Sequence, residues 1–96
     1  VICIDPLITY PNRPHGHGQW CHLWDSEGDQ EALHAFAARL GLQRRWFQNK
    51  QHDPCGGHYD LTAGKHVQAL RLGAKLIERG EFIAHLPPDV RARLQA

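Results

Sequence analysis

Long apolar runs are missing from this 96-residue chain, which excludes a membrane-spanning helix. The opening, Val1-Ile2-Cys3-Ile4-Asp5, lacks the basic and extended apolar regions of a secretory signal, so the expected compartment is the cytoplasm. Val1 stands where a methionine start is usual. Charge of one sign is also missing: the net charge is +1 with neutral histidines. That excludes a strongly basic footprint, and nucleic acid is not favoured as a partner. Arg44-Arg45 and Arg91 with Arg93 are local basic sites, read as solvated surface charge. Cysteine is scarce and odd in number. Cys3, Cys21 and Cys55 cannot build an even disulfide framework, and free thiols are expected. No HExxH, no second paired-ligand motif of the CxxC kind and no P-loop glycine spacing occur. There is no internal repeat, linker or low-complexity segment.

Histidine is what the chain has in excess. Eight in a chain of this length point to metal or proton chemistry. The length fits one domain, residues 1–96, burying roughly 60–65 % of the surface its unfolded form exposes.

Val1 to Asp5 reads as a strand of β-branched residues, stopped by Pro6. Leu7 to Gly18 is rich in proline and glycine and reads as a loop. His15-x-His17 in that loop is a weak chelating pattern. Gln19 to Trp24 reads as a second strand, with Trp20, His22 and Trp24 on one face and Cys21 and Leu23 on the other. A Cys21 nucleophile served by His22 is disfavoured, because adjacent strand residues point to opposite faces.

Asp29 is placed to cap a helix over Gln30 to Leu40, ended by Gly41, with Leu33, Phe36, Ala37 and Leu40 as its buried face. His34 lies at the edge of that stripe. Leu42 to Gln48 is expected to return as a third strand, and Asn49 to Gly57 as a loop. His52-x-x-Cys55-x-x-His58 has spacings that occur at zinc sites, but two of the three lie on that loop.

His58-Tyr59-Asp60-Leu61-Thr62-Ala63-Gly64-Lys65 carries the densest chemistry. His58 and Asp60 are two apart on an extended segment and share a face. Thr62 caps a second helix, Ala63 to Leu72, ended by Gly73, with Ala63, Val67, Leu70 and Ala74 expected to share one face. Ala74 to Ile77 reads as a last strand, Glu81 to Ala84 as a helical turn, and Asp89 to Leu94 as a terminal helix after Pro87-Pro88. The expected architecture is a single compact α/β domain: a small mixed sheet with two main helices and a short C-terminal helix.

Six segments, taken in order, resemble the bacterial and phage family called Domain of Unknown Function 4031. They are Val1-Ile2-Cys3-Ile4-Asp5, Trp20-Cys21-His22-Leu23, Glu31 to Gly41, Trp46-Phe47-Gln48, His58-Tyr59-Asp60-Leu61-Thr62 and Leu72-Gly73-Ala74. The resemblance implies a small α/β domain of unassigned activity. It implies polar motif positions at Asp5, His22, His34, His58, Tyr59, Asp60 and Lys65. Pro6 stands where a second acidic residue is expected, which weakens a paired-carboxylate metal site. Asn49 to Gly57 is a longer insertion than the family pattern leads one to expect.

Two function classes compete. The first is a small-molecule binding module for a phosphorylated or nucleotide-like ligand. Its site residues are His22, Arg45, Trp46, Tyr59, Thr62 and Lys65. A helix N-terminus favours anions, a tryptophan or tyrosine can stack a base, and an arginine can hold phosphate. The phage membership implies a sequestering or regulatory role, and a homo-oligomer is expected to help enclose the ligand. The second class is a metal-dependent hydrolase, a phosphoesterase or nuclease. Asp5, His22, His58 and Asp60 would hold Zn²⁺ or Mn²⁺, and His34, His58 and Asp60 are the catalytic candidates. A protein-interaction module is a third class that composition leaves open. Binding ranks first on the sequence, so whether the chain is an enzyme stays open. The order reverses if Asp5 and His22 lie across from His58 and Asp60.

Overall fold

The computed structural model describes residues 1–10 and 18–95. The His15-x-His17 pattern lies outside them. Five strands and three helices follow in chain order: β1 (Ile2–Ile4), β2 (Ile8–Thr9), β3 (Gln19–Asp25), α1 (Gln30–Arg39), β4 (Tyr59–Thr62), α2 (Ala63–Arg71), β5 (Lys75–Leu76) and α3 (Pro88–Gln95). The longest strand, β3, is the axis of the sheet. It pairs antiparallel with β4 on one side and with both β1 and β2 on the other. β5 adds parallel to β1 at the far edge. The sheet is therefore mixed, and the fold is α/β as expected.

β1 and β2 are two pieces of one strand line, broken at Pro6. Ile4 is opposite Leu23 and Ile8 is opposite Trp20. Residues 5–7 therefore face only residues 21–22, which is a bulge of one extra residue. Proline has no amide donor for the ladder, so the break falls where the chemistry requires it. A two-residue strand inside Leu7 to Gly18, which reads as loop in the sequence, is the consequence.

Each face of the sheet has its own core. On one, Ile4, Cys21, Leu23, Tyr59 and Leu61 pack under Leu33, Phe36, Ala37 and Leu40 of α1 and Ala69 of α2. α1 begins where Asp29 accepts the Ala32 amide at 3.1 Å, and it ends with Gly41 at φ +76°. On the other face, Cys3 and Trp24 are covered by Cys55, Ile77, Leu86 and Val90. Trp24 Nε1 donates to the His85 carbonyl at 3.0 Å, and Phe82 meets its ring edge-on. This second cover stops at the Trp24 end of β3. Trp20 and His22, further back on the same strand face, border cavities instead.

Two expectations are corrected. Leu42 to Gln48 is not a third strand. It forms a 3-10 turn at Arg44–Trp46, and only Gln48 makes a bridge, to His58. The ladder position beside β3 belongs to β4, so this segment crosses the end of the sheet without joining it. The apolar residues expected to share one face of α2 are also not the ones that it buries: of Ala63, Val67, Leu70 and Ala74, Ala74 alone, past the helix end, is buried. Val67 and Leu70 are 47 % and 40 % exposed, while Ala69 is fully buried. The helix lies close on the sheet, and close approach selects the small residue for the contact.

The two faces of α2 should respond differently to substitution. Val67→Ser is expected to change stability by no more than about 0.5 kcal/mol. Ala69→Leu is expected to cost about 1–3 kcal/mol through overpacking. Urea denaturation of both variants measures this, and a large loss in Val67→Ser would mean that the helix is rotated from its described position.

Candidate functional site

Strand register brings the site together. His22 on β3 is opposite Asp60 on β4, and Trp20 is opposite Thr62. His58 lies two residues before Asp60 on the same extended line and so faces the same side. Its backbone exchanges two hydrogen bonds with Gln48, each 2.9 Å. Asp5, in the bulge, reaches His22 from the other flank. The sheet thus gathers Asp5, His22, His58 and Asp60 on one face, beyond the edge of the second core.

Each imidazole is held by a buried carboxylate. Asp5 Oδ1 accepts the backbone N–H of His22 at 2.6 Å, and Oδ2 accepts its Nδ1 at 2.7 Å. Both carboxylate oxygens hold one residue, by its backbone and by its ring. Asp53 does the same for His58, with Nδ1 at 3.0 and 2.9 Å from its two oxygens. Asp53 Oδ1 also accepts the amides of Cys55 and Gly57 at 2.9 and 3.1 Å. Carboxylates only accept, so both Nδ1 atoms carry protons and Nε2 is the remaining ring nitrogen of each. His58 Nε2 is 3.3 Å from Asp60 Oδ1, and Gln48 Nε2 donates to Asp60 Oδ2 at 2.6 Å. The two rings meet edge-on with centroids 4.9 Å apart.

The electrostatics follow from this network. Burial works to lower His58, but hydrogen bonds to Asp60 and Asp53 and their negative charge more than offset it, and His58 rises above the ordinary imidazole value. Burial works to raise Asp60, yet the bonds from His58 and Gln48 and the nearby imidazoles hold it below the ordinary carboxylate value. Cys21 lines the same cavity, but burial first, then the charges of Asp5 and Asp60, push it up to about 12. It remains a protonated thiol and not a nucleophile.

Other sequence candidates fall elsewhere. His34 and Tyr59 lie on the opposite face of β4, where Nδ1 and the phenol oxygen are 2.7 Å apart. They border a separate cavity of about 340 Å³ with Glu31 and Arg44. Thr62 caps α2 through the Lys65 amide at 3.5 Å, and the Lys65 ammonium donates to the Leu40 carbonyl at the end of α1. Trp46 is 47 % exposed and walls a cleft with Trp20, Leu42, Asp60, Thr62 and Lys65. Arg45 is exposed on the same 3-10 turn. His52 is exposed with φ 64°, and does not share in the buried group of Asp53, Cys55 and His58. Burial, with Asp53 next, raises the Cys55 thiol, and Asp53 is already spent on hydrogen bonds. That group is a structural hub for the loop.

Sequence reasoning missed Gln48 and Asp53. Asp53-Pro54 before Cys55-Gly56-Gly57 carries the signal of a carboxylate folding back on its own loop. Gln48 closes the Trp46-Phe47-Gln48 segment of the family resemblance, but its role comes from the bridge to His58 that sets its side chain on Asp60.

Two outcomes test this geometry. A Cβ on Gly57, at φ +114°, would stand 2.7 Å from Phe47 Cζ, so Gly57→Ala is expected to cost about 1–3 kcal/mol of stability by urea titration. His34 is depressed, first by burial and then by Arg44, against the opposing pull of Glu31. Its neutral form is the one that the fold favours, so stability is lost as pH falls below the unfolded value of 6.5. Nuclear magnetic resonance titration should place its midpoint below 6.5, and Arg44→Gln should raise it. A midpoint at or above 6.5 would remove burial as the controlling effect.

No curated protein and no solved structure matches the chain. A family model described as "Protein of unknown function (DUF4031)" matches residues 2–88, nearly the whole sequence, and includes every residue of the cluster just described. On that match the chain belongs to the DUF4031 family.

Proposed function

We propose that this protein is a divalent-metal-dependent phosphoester hydrolase. His22, His58 and Asp60 would hold a Zn²⁺ or Mn²⁺ ion, with Asp5 and Asp53 supporting the two rings. The observation that carries this reading is the pair of imidazoles whose Nδ1 atoms are fixed by buried carboxylates. This is how metal-binding histidines are commonly oriented: the carboxylate sets the tautomer, fixes the ring and makes Nε2 a better donor. Asp5 already uses both oxygens on His22, so its place is behind the ligands and not among them.

The spacing fits a small ion. Bond lengths of about 2.0–2.2 Å to nitrogen and oxygen give a tetrahedral ligand–ligand edge of about 3.3–3.5 Å. His58 Nε2 and Asp60 Oδ1 are 3.3 Å apart. The ligand atoms of the full trio lie within 4.8 Å of one another, so ligation closes His22 toward the pair. Its side chain is 28 % exposed on the cavity. Three protein ligands leave a position open for water, whose pKa such an ion lowers toward neutrality.

Phosphoesters are favoured over uncharged substrates because positive groups border the cluster. Lys65 and the capped start of α2 line the cleft on one side. Arg79 lines a cavity of about 310 Å³ on the other, together with Asp5 and His22. The net charge of +1 argues for a small substrate over a nucleic-acid polymer.

A second reading keeps the cleft without the reaction: a binding module for a phosphorylated or nucleotide-like ligand, with a sequestering or regulatory role. The cleft of about 430 Å³ with Trp46, Thr62 and Lys65 favours it.

Native mass spectrometry and turnover of para-nitrophenyl phosphate separate the two. The metal reading expects about one Zn²⁺ or Mn²⁺ per chain, lost in His58→Ala and in Asp60→Ala, and retained in His52→Asn, which alters an exposed histidine outside the trio. Turnover is expected to disappear with the ion. A protein that takes up no ion, and whose melting temperature does not move on adding either one, sinks the hydrolase. An ion bound without turnover leaves the binding module in its place.

A further inference from the structure

Three cavities meet at the cluster, and they differ in size and character. The one directly over His22, His58 and Asp60 holds about 170 Å³. That is below the roughly 300 Å³ at which small-molecule pockets usually begin. It has room for an ion and a phosphoryl-sized group, and not for the rest of an organic phosphate. The neighbouring cleft holds about 430 Å³ and is mostly apolar. Trp20 and Asp60 line both cavities, so the two are contiguous. The cavity of about 310 Å³ at Asp5 and His22 is a smaller way out, so a bulky group attached to a phosphoryl at the cluster finds its largest adjoining space in the tryptophan-walled cleft.

The cleft's chemistry is divided. Trp20, Leu42 and Trp46 supply an apolar, aromatic wall. Asp60, Thr62 and Lys65 supply its polar groups. Trp46 is held out on a 3-10 turn, and nearly half of its surface stays exposed. A large ring left outside both cores contributes little to folding, and a flat apolar face beside a polar site suits a planar ligand. The Lys65 ammonium has three donors and spends one on the Leu40 carbonyl, so the others remain for a hydroxyl or an anion.

We propose that the cleft binds a planar aromatic ring carried by the substrate, so that the substrate class is a nucleoside or aryl phosphomonoester and not a sugar phosphate. This rests on the phosphoester reading for the position of the phosphoryl group. The ring stacks on the tryptophan wall, and the phosphoryl group lies at the His22, His58 and Asp60 end. Trp46 is a specificity-determining residue. It contributes to binding of the ring and leaves the reacting group untouched.

Adenosine 5′-monophosphate and ribose 5-phosphate are the probes, because they share the phosphorylated sugar and differ by the ring. Binding to the metal-loaded full chain is followed by isothermal calorimetry. The nucleotide is expected to bind about tenfold more tightly or better, the range that one stacked base supplies. Trp46→Ala should erase that difference while leaving ribose 5-phosphate affinity and metal content unchanged, and Trp46→Phe should restore most of it. If the two ligands bind equally, or the difference survives in Trp46→Ala, the cleft is not a ring site. Titrating His58→Asn protein, made to lose the ion, separates this from the hydrolase reading. A ring preference that persists there, in a protein without turnover, supports the cleft whatever becomes of the metal centre. A preference that depends wholly on the ion and is unmoved by Trp46→Ala overturns it.

Discussion

The carboxylate of Asp5 does two things with one set of bonds, and the candidate site depends on it. Pro6 and the extra residue beside it interrupt the ladder along β3. An unpaired amide at His22 would be costly there. Asp5 accepts that amide and, with its other oxygen, the His22 ring. A defect in the sheet becomes the fixture for a histidine. Asp53 repeats the device in a loop, satisfying two backbone amides while orienting His58. Bonds to a charged acceptor contribute about 1.5–3 kcal/mol each, so folding and site geometry draw on the same interactions. Replacing either aspartate would therefore disturb both together.

The unequal covering of the sheet decides where this machinery sits. Two helices lie over one face and seal it. Among the described residues, the other face is covered at the Cys3 and Trp24 end, by the Cys55 loop and the C-terminal segment. A fully covered face would force the four polar groups into a dry core, where unpaired charge is expensive. A fully open face would screen their mutual attraction. At the rim of the second core His58 and Asp60 are shielded enough to shift each other's protonation, and the cluster is open enough to meet a ligand. The mixed sheet serves the same end. The parallel β5 carries the chain back across β1 toward the covering segment, and the antiparallel pairs place His22 and Asp60 side by side.

Much of this was legible in the sequence because strands have a period of two. That period put Trp20, His22 and Trp24 on one face, and His58 with Asp60 on another segment's matching face. The caps Asp29 and Thr62 and the stop at Gly41 were readable from local backbone chemistry. Where the reading failed, a tertiary fact overrode a local one. Leu42 to Gln48 has strand-like composition, but the neighbouring ladder position was taken by β4. The face of α2 was assigned from its larger apolar residues, whereas a closely packed helix buries Ala69 and leaves Val67 and Leu70 outside. Asp53 escapes a local reading because its partner is a ring folded back over the loop, and Gln48 because its bridge to His58 spans the nine residues 49–57.

One loop of this chain carries several local costs together. Gly56 and Gly57 take left-handed φ values, at positions where a Cβ would collide with Val90 and Phe47, and His52 takes φ 64° without being glycine. All three lie in the loop that carries Asp53 to His58. Trp46, a large ring, stays exposed and walls the cleft that Asp60 shares. A purely structural cluster gains nothing from such an arrangement, since apolar residues of similar volume commonly replace buried ion networks without loss. Conflicts with local preference in a loop that orients a candidate ligand are what a functional site leaves in a fold. The same loop orients His58 through Asp53 and, through Gly57 against Phe47, abuts the His34 and Tyr59 pair on the other face, so one strained segment ties the candidate site to the packing on both sides of the sheet.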